Sequence, residues 1–151
     1  MEFGSPVYNP IRAVRKAADE TVNNSVALQN DNELKISAQA QAKYLIDILL
    51  LIDAKVASDF KYSWSVPAGA TIRTLTSTGA FDANFAESTF DATAAMPTTI
   101  GTAGINMLIA RFVCVLGVTA GEIQLQWAQN VAVVEDTIVK ANSNLVATRL
   151  P

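Results

Sequence analysis

Few residues in this chain of 151 could carry out catalysis. The sequence contains no histidine, so the side chain best matched to proton transfer near neutral pH is missing. Neither a Ser-His-Asp triad nor a Cys-His pair is therefore possible. The single cysteine, Cys114, lies between Val113 and Val115 in an apolar run, where a buried, inert thiol is far more common than a nucleophile. One cysteine also excludes an intrachain disulfide scaffold.

Three polar clusters have residue types that occur in functional sites. Asp82, Glu87 and Asp91 could supply the two carboxylates of a glycosidase, but their spacing does not enforce that geometry and a solvated loop is the simpler interpretation. Residues 30–33 offer oxygen ligands without the spacing and glycine of a calcium loop, which favours a hairpin turn. The Gly-rich residues 101–104 precede no lysine that could hold a phosphate. We therefore predict a non-enzyme with no catalytic, cofactor-binding or metal-binding residues.

Composition and charge exclude several classes of partner. Half of the residues are hydrophobic and 17% are charged, against about 25% charged in an average globular domain. This deficit favours an oligomer, because obligate interfaces resemble a domain core cut in half. The net charge of −3 and the pI near 4.8 argue against nucleic-acid binding. The longest apolar run, 44–52, contains Asp47 and is far shorter than the ~20 residues of a membrane helix, so we expect a soluble protein without a membrane partner.

Alternating apolar and polar residues predict strands rather than helices. In 121–130, Ile123, Leu125 and Trp127 would share one face of a strand, and the Glu and Gln residues between them the other. The same pattern recurs in 59–67, where the apolar face would be formed by Phe60, Tyr62, Trp64 and Val66.

Other segments complete a sheet protein of about eight strands. Residues 42–53 fit a helix or a strand, and the isoleucines at alternate positions favour a strand buried on both faces. Residues 105–118 also have two apolar faces, so we expect another subunit to cover one of them. We predict a turn at 29–32 and a single final strand over 137–150. The spacing of the strands suits an antiparallel β-sandwich.

Three parts of the chain differ in character. Met1–Ser5 resembles a cloning remnant, because Glu-Phe and Gly-Ser are encoded by common restriction sites. Residues 6–18 form a distinct N-terminal segment, which is either a frayed terminus with a short helix at 11–18 or an arm that reaches onto a neighbouring subunit. Residues 19–151 form a single domain. Within it, 76–104 is a long loop or contains one more short strand.

Several segments, in their order and spacing, resemble a family of small structural proteins of tailed bacteriophages. They are residues 18–25, 28–34, 60–70, 120–130 and 141–150, and the resemblance covers roughly residues 17–150. Within that family the chain is most similar to the capsid decoration proteins of thermophilic long-tailed phages. It departs from the common pattern at 44–52 and 76–104.

The resemblance implies a jelly-roll-like antiparallel β-sandwich or barrel with an extended N-terminal arm at 6–18, assembled as a homotrimer. It implies a virion protein that is made in the bacterial cytoplasm, binds the phage major capsid protein on the outside of the capsid and cements the shell. An alternative is a carbohydrate- or receptor-binding module of a fibre or tail tip that uses the loop at 81–90. From the arm and the two-faced strand, we predict these residues as oligomer or capsid contacts: Val7, Tyr8, Ile11, Arg12, Arg15, Lys16, Met107, Ile109, Arg111 and Val113.

Overall fold

A computed structural model describes residues 11–75, 88–90, 96–98 and 104–151. The described residues form twelve β-strands and no helix, so none of them belongs to a helix that could cross a membrane. The strands are β1 Ile11–Arg15, β2 Glu20–Val22, β3 Gln29–Ala38, β4 Lys43–Ala54, β5 Phe60–Ser65, β6 Thr71–Leu75, β7 Ser88–Phe90, β8 Met96–Thr98, β9 Gly104–Val115, β10 Gly121–Ala128, β11 Thr137–Val139 and β12 Asn144–Leu150. The prediction of an all-β fold is confirmed.

The strands pair in the nested order of a jelly roll. The larger sheet has the order β1-β12-β4-β9-β6-β7, with β11 joining β2 to β4, and the smaller sheet has the order β3-β10-β5-β8. All pairs are antiparallel, and the eight principal strands pair from the outside of the sequence inward, as β1 with β12, β3 with β10, β4 with β9 and β5 with β8. Alternate pairs belong to different sheets, as in a jelly roll. The described residues thus form twelve strands, more than the eight or so predicted, and eight of them make up this nested set.

The hydrophobic core lies between the two sheets and follows the predicted alternation. Trp127 on β10 is fully buried and stacks on Phe60 of β5 with ring centroids 5.9 Å apart. Trp64 of the smaller sheet contacts Phe112 of the larger sheet at 4.5 Å between centroids. Both tryptophans are buried, as the alternation predicts. The larger sheet adds the alternate residues of β4, which are Tyr44, Ile46, Ile48, Leu50 and Ile52.

Four local predictions are wrong. Residues 11–15 form strand β1 instead of a helix, because they pair along their whole length with β12. Residues 30–33 lie inside β3 instead of a hairpin turn, at a point where its register with β10 shifts. The final segment is two strands instead of one, since a turn containing Asn142 at φ 72° separates β11 from β12. One face of β4 is fully buried, but the other is only half-buried.

Candidate functional site

The pairing of β4 with β9 creates the surface that most resembles an interaction site. The two strands are hydrogen-bonded neighbours over twelve residues each. Alternate side chains enter the core, and the rest point away from it. We call this second set the outer face, and it consists of Lys43, Leu45, Asp47, Leu49, Leu51, Asp53, Ile105, Met107, Ile109, Arg111, Val113 and Val115.

The outer face is apolar and open in the isolated subunit. Ile105, Met107 and Ile109 are 64%, 63% and 66% exposed. Leu51 and Leu49, which lie opposite Met107 and Ile109 on β4, are half-buried, and Asp53 lies opposite Ile105. The solvent-facing side of an antiparallel sheet is ordinarily polar, and a contiguous exposed apolar patch marks a site of interaction. The second apolar face predicted for β9 therefore exists, and nothing in the described part of this subunit covers it.

A charge pair lies within this apolar surface. Asp47 and Arg111 are directly opposite each other on β4 and β9, and Arg111 Nε donates a hydrogen bond of 2.5 Å to Asp47 Oδ1. This hydrogen bond, together with the carboxylate charge, raises the pKa of Arg111. If Arg111 is buried in an interface, the carboxylate of Asp47 on the same chain therefore already neutralises its charge.

Strand β1 lies at the edge of the larger sheet, beyond β12, and extends the outer face in that direction. The register places Ile11 in one row with Val113 across β12 and β4, and Arg15 in one row with Ile109. Directly opposed residues share a face of the sheet. The structure therefore brings six of the predicted contact residues to one surface: Ile11, Arg15, Met107, Ile109, Arg111 and Val113.

The other four predicted contact residues do not join this surface. Val7 and Tyr8 lie outside the described residues. Arg12 lies on the opposite side of β1 and donates a hydrogen bond to the carbonyl oxygen of Ser37 on β3. Lys16 is 1% exposed, so its prediction as a surface contact is wrong.

Lys16 is buried because two carboxylates surround its ammonium group. Lys16 Nζ lies 2.7 Å from Glu20 Oε2 and 2.9 Å from each carboxylate oxygen of Asp31, which is itself 0% exposed. Burial by itself lowers the pKa of Lys16, but the hydrogen bonds and charges of Glu20 and Asp31 outweigh burial and leave it above its ordinary value. We call Lys16, Glu20 and Asp31 the Lys16 cluster. A buried lysine persists only when it is matched in this way.

The carboxylate of Asp31 is fixed by three further donors. Its Oδ1 accepts hydrogen bonds from the backbone N–H groups of Glu33 at 2.9 Å and Leu34 at 2.8 Å. Its Oδ2 accepts one from Trp127 Nε1 at 3.1 Å. An aspartate that bonds the backbone two and three residues ahead competes with regular strand pairing, which accounts for the irregularity in β3. Sequence reasoning missed this cluster, because Asp31 is 15 residues from Lys16 and reaches it only where the two sheets come together.

The structure describes some of the residues considered for chemistry and leaves others outside the described ranges. Cys114 is buried, as predicted, and burial raises the pKa of its thiol to about 12. Among the described residues, no group of three or more His, Cys, Asp or Glu side chains could hold a metal ion. Asp82, Glu87 and Asp91, the loop at 81–90 up to its last three residues, and 101–103 lie outside the described part of the chain.

Comparison with known proteins yields one distant likeness. No protein-family model and no curated protein sequence matches the chain. One solved structure, described as the structure of infectious bursal disease virus Gx strain, is 14% identical over 95% of this chain with a TM-score of 0.22. The chain spans 43% of that viral chain. A TM-score this low supports no inference about function.

Proposed function

We propose that this protein is a structural component of a phage virion that binds the outside of the capsid as a homotrimer and stabilises the shell. In this proposal it has no catalytic activity and its partners are its own copies and the major capsid protein. The observation that carries the proposal is the open apolar outer face, on which six predicted contact residues come together. The resemblance to phage decoration proteins supplies the capsid as the partner.

Self-association through the outer face is supported by its apolar centre. Fully burying an Ile or Met side chain stabilises a protein by roughly 1.5–3 kcal/mol. Ile105, Met107 and Ile109 are each about two thirds exposed, so most of this gain remains available to an interface. Within the face, the charge of Arg111 is matched by that of Asp47. Copies of the chain can therefore meet there without bringing unmatched like charges together.

Light scattering on the purified protein tests the trimer. We expect a mass near three times the 16.1 kDa of the chain, and a monomer for Ile109→Lys, which places a charge in the apolar centre. Val118→Lys is the matched control, because Val118 is 83% exposed but lies outside the strands, and it should remain a trimer. A wild-type monomer at micromolar concentration, or a trimeric Ile109→Lys variant, would contradict the proposal.

Binding to undecorated phage heads tests the capsid role. We expect the wild-type protein to co-sediment with such heads and to raise the temperature at which they break open. The Ile109→Lys variant should do both less well, because a monomer loses the gain in avidity that three linked binding sites provide. Failure to bind heads, combined with binding to glycans or block of adsorption by antibodies, would instead support the alternative of a fibre or tail-tip module.

A further inference from the structure

We propose that Lys16 and Asp31 form an intramolecular amide bond, with Glu20 transferring the protons. The bond would join Lys16 Nζ to Asp31 Cγ and release one water. It would be a self-catalysed modification that links the segment after β1, in the larger sheet, to β3, in the smaller sheet. It does not depend on the proposed oligomer or on a capsid.

The reacting atoms already face each other. Lys16 Nζ is equally distant, 2.9 Å, from both oxygens of Asp31, so it is aimed at the carbon between them. Attack requires the nitrogen to approach Cγ from above the carboxyl plane. Because three donors hold that plane, this movement falls to the rotatable end of the lysine side chain. Holding two reactants in such an arrangement replaces a bimolecular encounter and is equivalent to effective concentrations of about 10⁵–10⁸ M.

The neutral forms that react are reached by a proton transfer within the buried pair, starting from the ammonium that Glu20 and Asp31 together stabilise. Lys16 is 1% exposed and Asp31 0% exposed, and separate charges are costly where water is excluded. Transfer of one proton from the ammonium to the carboxylate converts the ion pair into an amine and a carboxylic acid without changing the total charge. Exclusion of water also disfavours the reverse reaction, hydrolysis of the amide.

Each remaining step has a named group. The Nζ lone pair attacks Cγ and forms the N–C bond, and the negative charge that develops on Oδ1 is stabilised by the backbone N–H groups of Glu33 and Leu34. Glu20, 2.7 Å from Nζ, accepts a proton from the nitrogen and delivers it to the hydroxyl at Oδ2. The Cγ–Oδ2 bond then breaks, and that oxygen leaves as water. Glu20 returns to its carboxylate form, and no oxidant or reductant is needed.

The backbone donors indicate which oxygen stays. Oδ1 has two N–H donors, and as the carbonyl oxygen of the new amide it would keep both. Oδ2 has one donor, Trp127 Nε1, at 3.1 Å. Loss of Oδ2 therefore leaves fewer polar groups without a partner than loss of Oδ1 would.

Intact-mass spectrometry of the denatured full-length protein tests the bond. The wild-type chain should be lighter than its sequence by one water, and fragmentation should give a single branched peptide that joins position 16 to position 31. Asp31→Ala and Glu20→Gln should each have the full mass of their own sequence. Glu33→Gln is the matched control for Glu20→Gln, because Glu33 lies close by but its carboxylate bonds the backbone N–H groups of Ala17 and Ala18 and not Lys16, and it should still lose water.

Three results would contradict the proposal, the third of them its assignment of the proton transfer to Glu20. A wild-type mass equal to that of its sequence means that the cluster is an ion pair only. A water loss that maps to other residues means that a different reaction has occurred. A Glu20→Gln variant that folds by circular dichroism and still forms the bond would refute the role of Glu20, and circular dichroism of each variant separates this result from misfolding.

Discussion

Replacing Trp127 with alanine is the most direct test of the core. The Trp127 ring is fully buried and stacks on Phe60, and its Nε1 donates a hydrogen bond to the buried carboxyl group of Asp31. Truncation of a large buried aromatic side chain to alanine costs roughly 3–5 kcal/mol. We expect a value in the upper half of that range, because a hydrogen bond inside the core is lost together with the packing.

The expected loss converts into a measurable shift in melting temperature. For a chain of this length each kcal/mol lowers Tm by roughly 2–4 °C, so Trp127→Ala should melt about 8–20 °C below the wild type. Trp64→Ala should lose less, since Trp64 Nε1 has no hydrogen-bond partner in the described part of the chain and only the packing against Phe112 is removed. Both should be measured at one protein concentration, because dissociation of an oligomer makes Tm concentration-dependent.

A matched surface variant gives the baseline for this comparison. Val118 is exposed, so Val118→Ala should change stability by less than about 0.5 kcal/mol. If Trp127→Ala melted like the wild type but lost binding to a ligand, the tryptophan would be a binding residue and its assignment to the core would be wrong.

Three further predictions concern other parts of the molecule. Cys114 should resist alkylation in the native protein and react once the chain unfolds, because burial raises its pKa to about 12. A hydrogen bond from Lys140 holds the pKa of Asp19 below its ordinary value. The stability that this carboxylate contributes is therefore present above the unfolded-state pKa and lost as the pH falls through the folded-state pKa. Asp19→Asn should accordingly weaken the fold in urea denaturation near neutral pH but not in strong acid. Deleting residues 6–10 should leave the circular dichroism unchanged and weaken the trimer, whereas a deletion that continues through Lys16 removes β1 and should also destabilise the fold.

The strands and their buried faces could be predicted from the sequence, because apolar residues recur at every second position along a strand. The period of two that places Ile123, Leu125 and Trp127 on one face depends only on strand geometry, and all three are buried. The two apolar faces of 105–118 likewise predicted a surface that a single subunit leaves open. Strand ends were predicted less well: Asn142 tolerates the left-handed backbone of the turn between β11 and β12, but the apolar residues on both sides of it favoured one continuous strand.

The Lys16 cluster could not be predicted from local pattern. Lys16 and Glu20 are four residues apart, a spacing that favours a pair on a helix, whereas here Lys16 follows a strand and Glu20 begins one. Asp31 lies in a run of polar residues that is typical of a turn. The three side chains meet only because β1 and β3, in different sheets, come together at the edge of the sandwich, where Arg12 also bonds Ser37.

The position of the cluster connects it to the proposed arm. The arm was predicted at 6–18, but Ile11–Arg15 form β1 within the sheet, so only 6–10 could extend from it. A pull on these residues in an assembled particle would act first on the pairing of β1 with β12. Strand pairs at a sheet edge can open one hydrogen bond at a time. Lys16 follows β1 immediately, and its contact with Asp31 ties the end of that strand to the opposite sheet. A covalent bond at this point would stop the peeling of β1 at Lys16, so Asp31→Ala should weaken retention of the arm under force even where the trimer still forms.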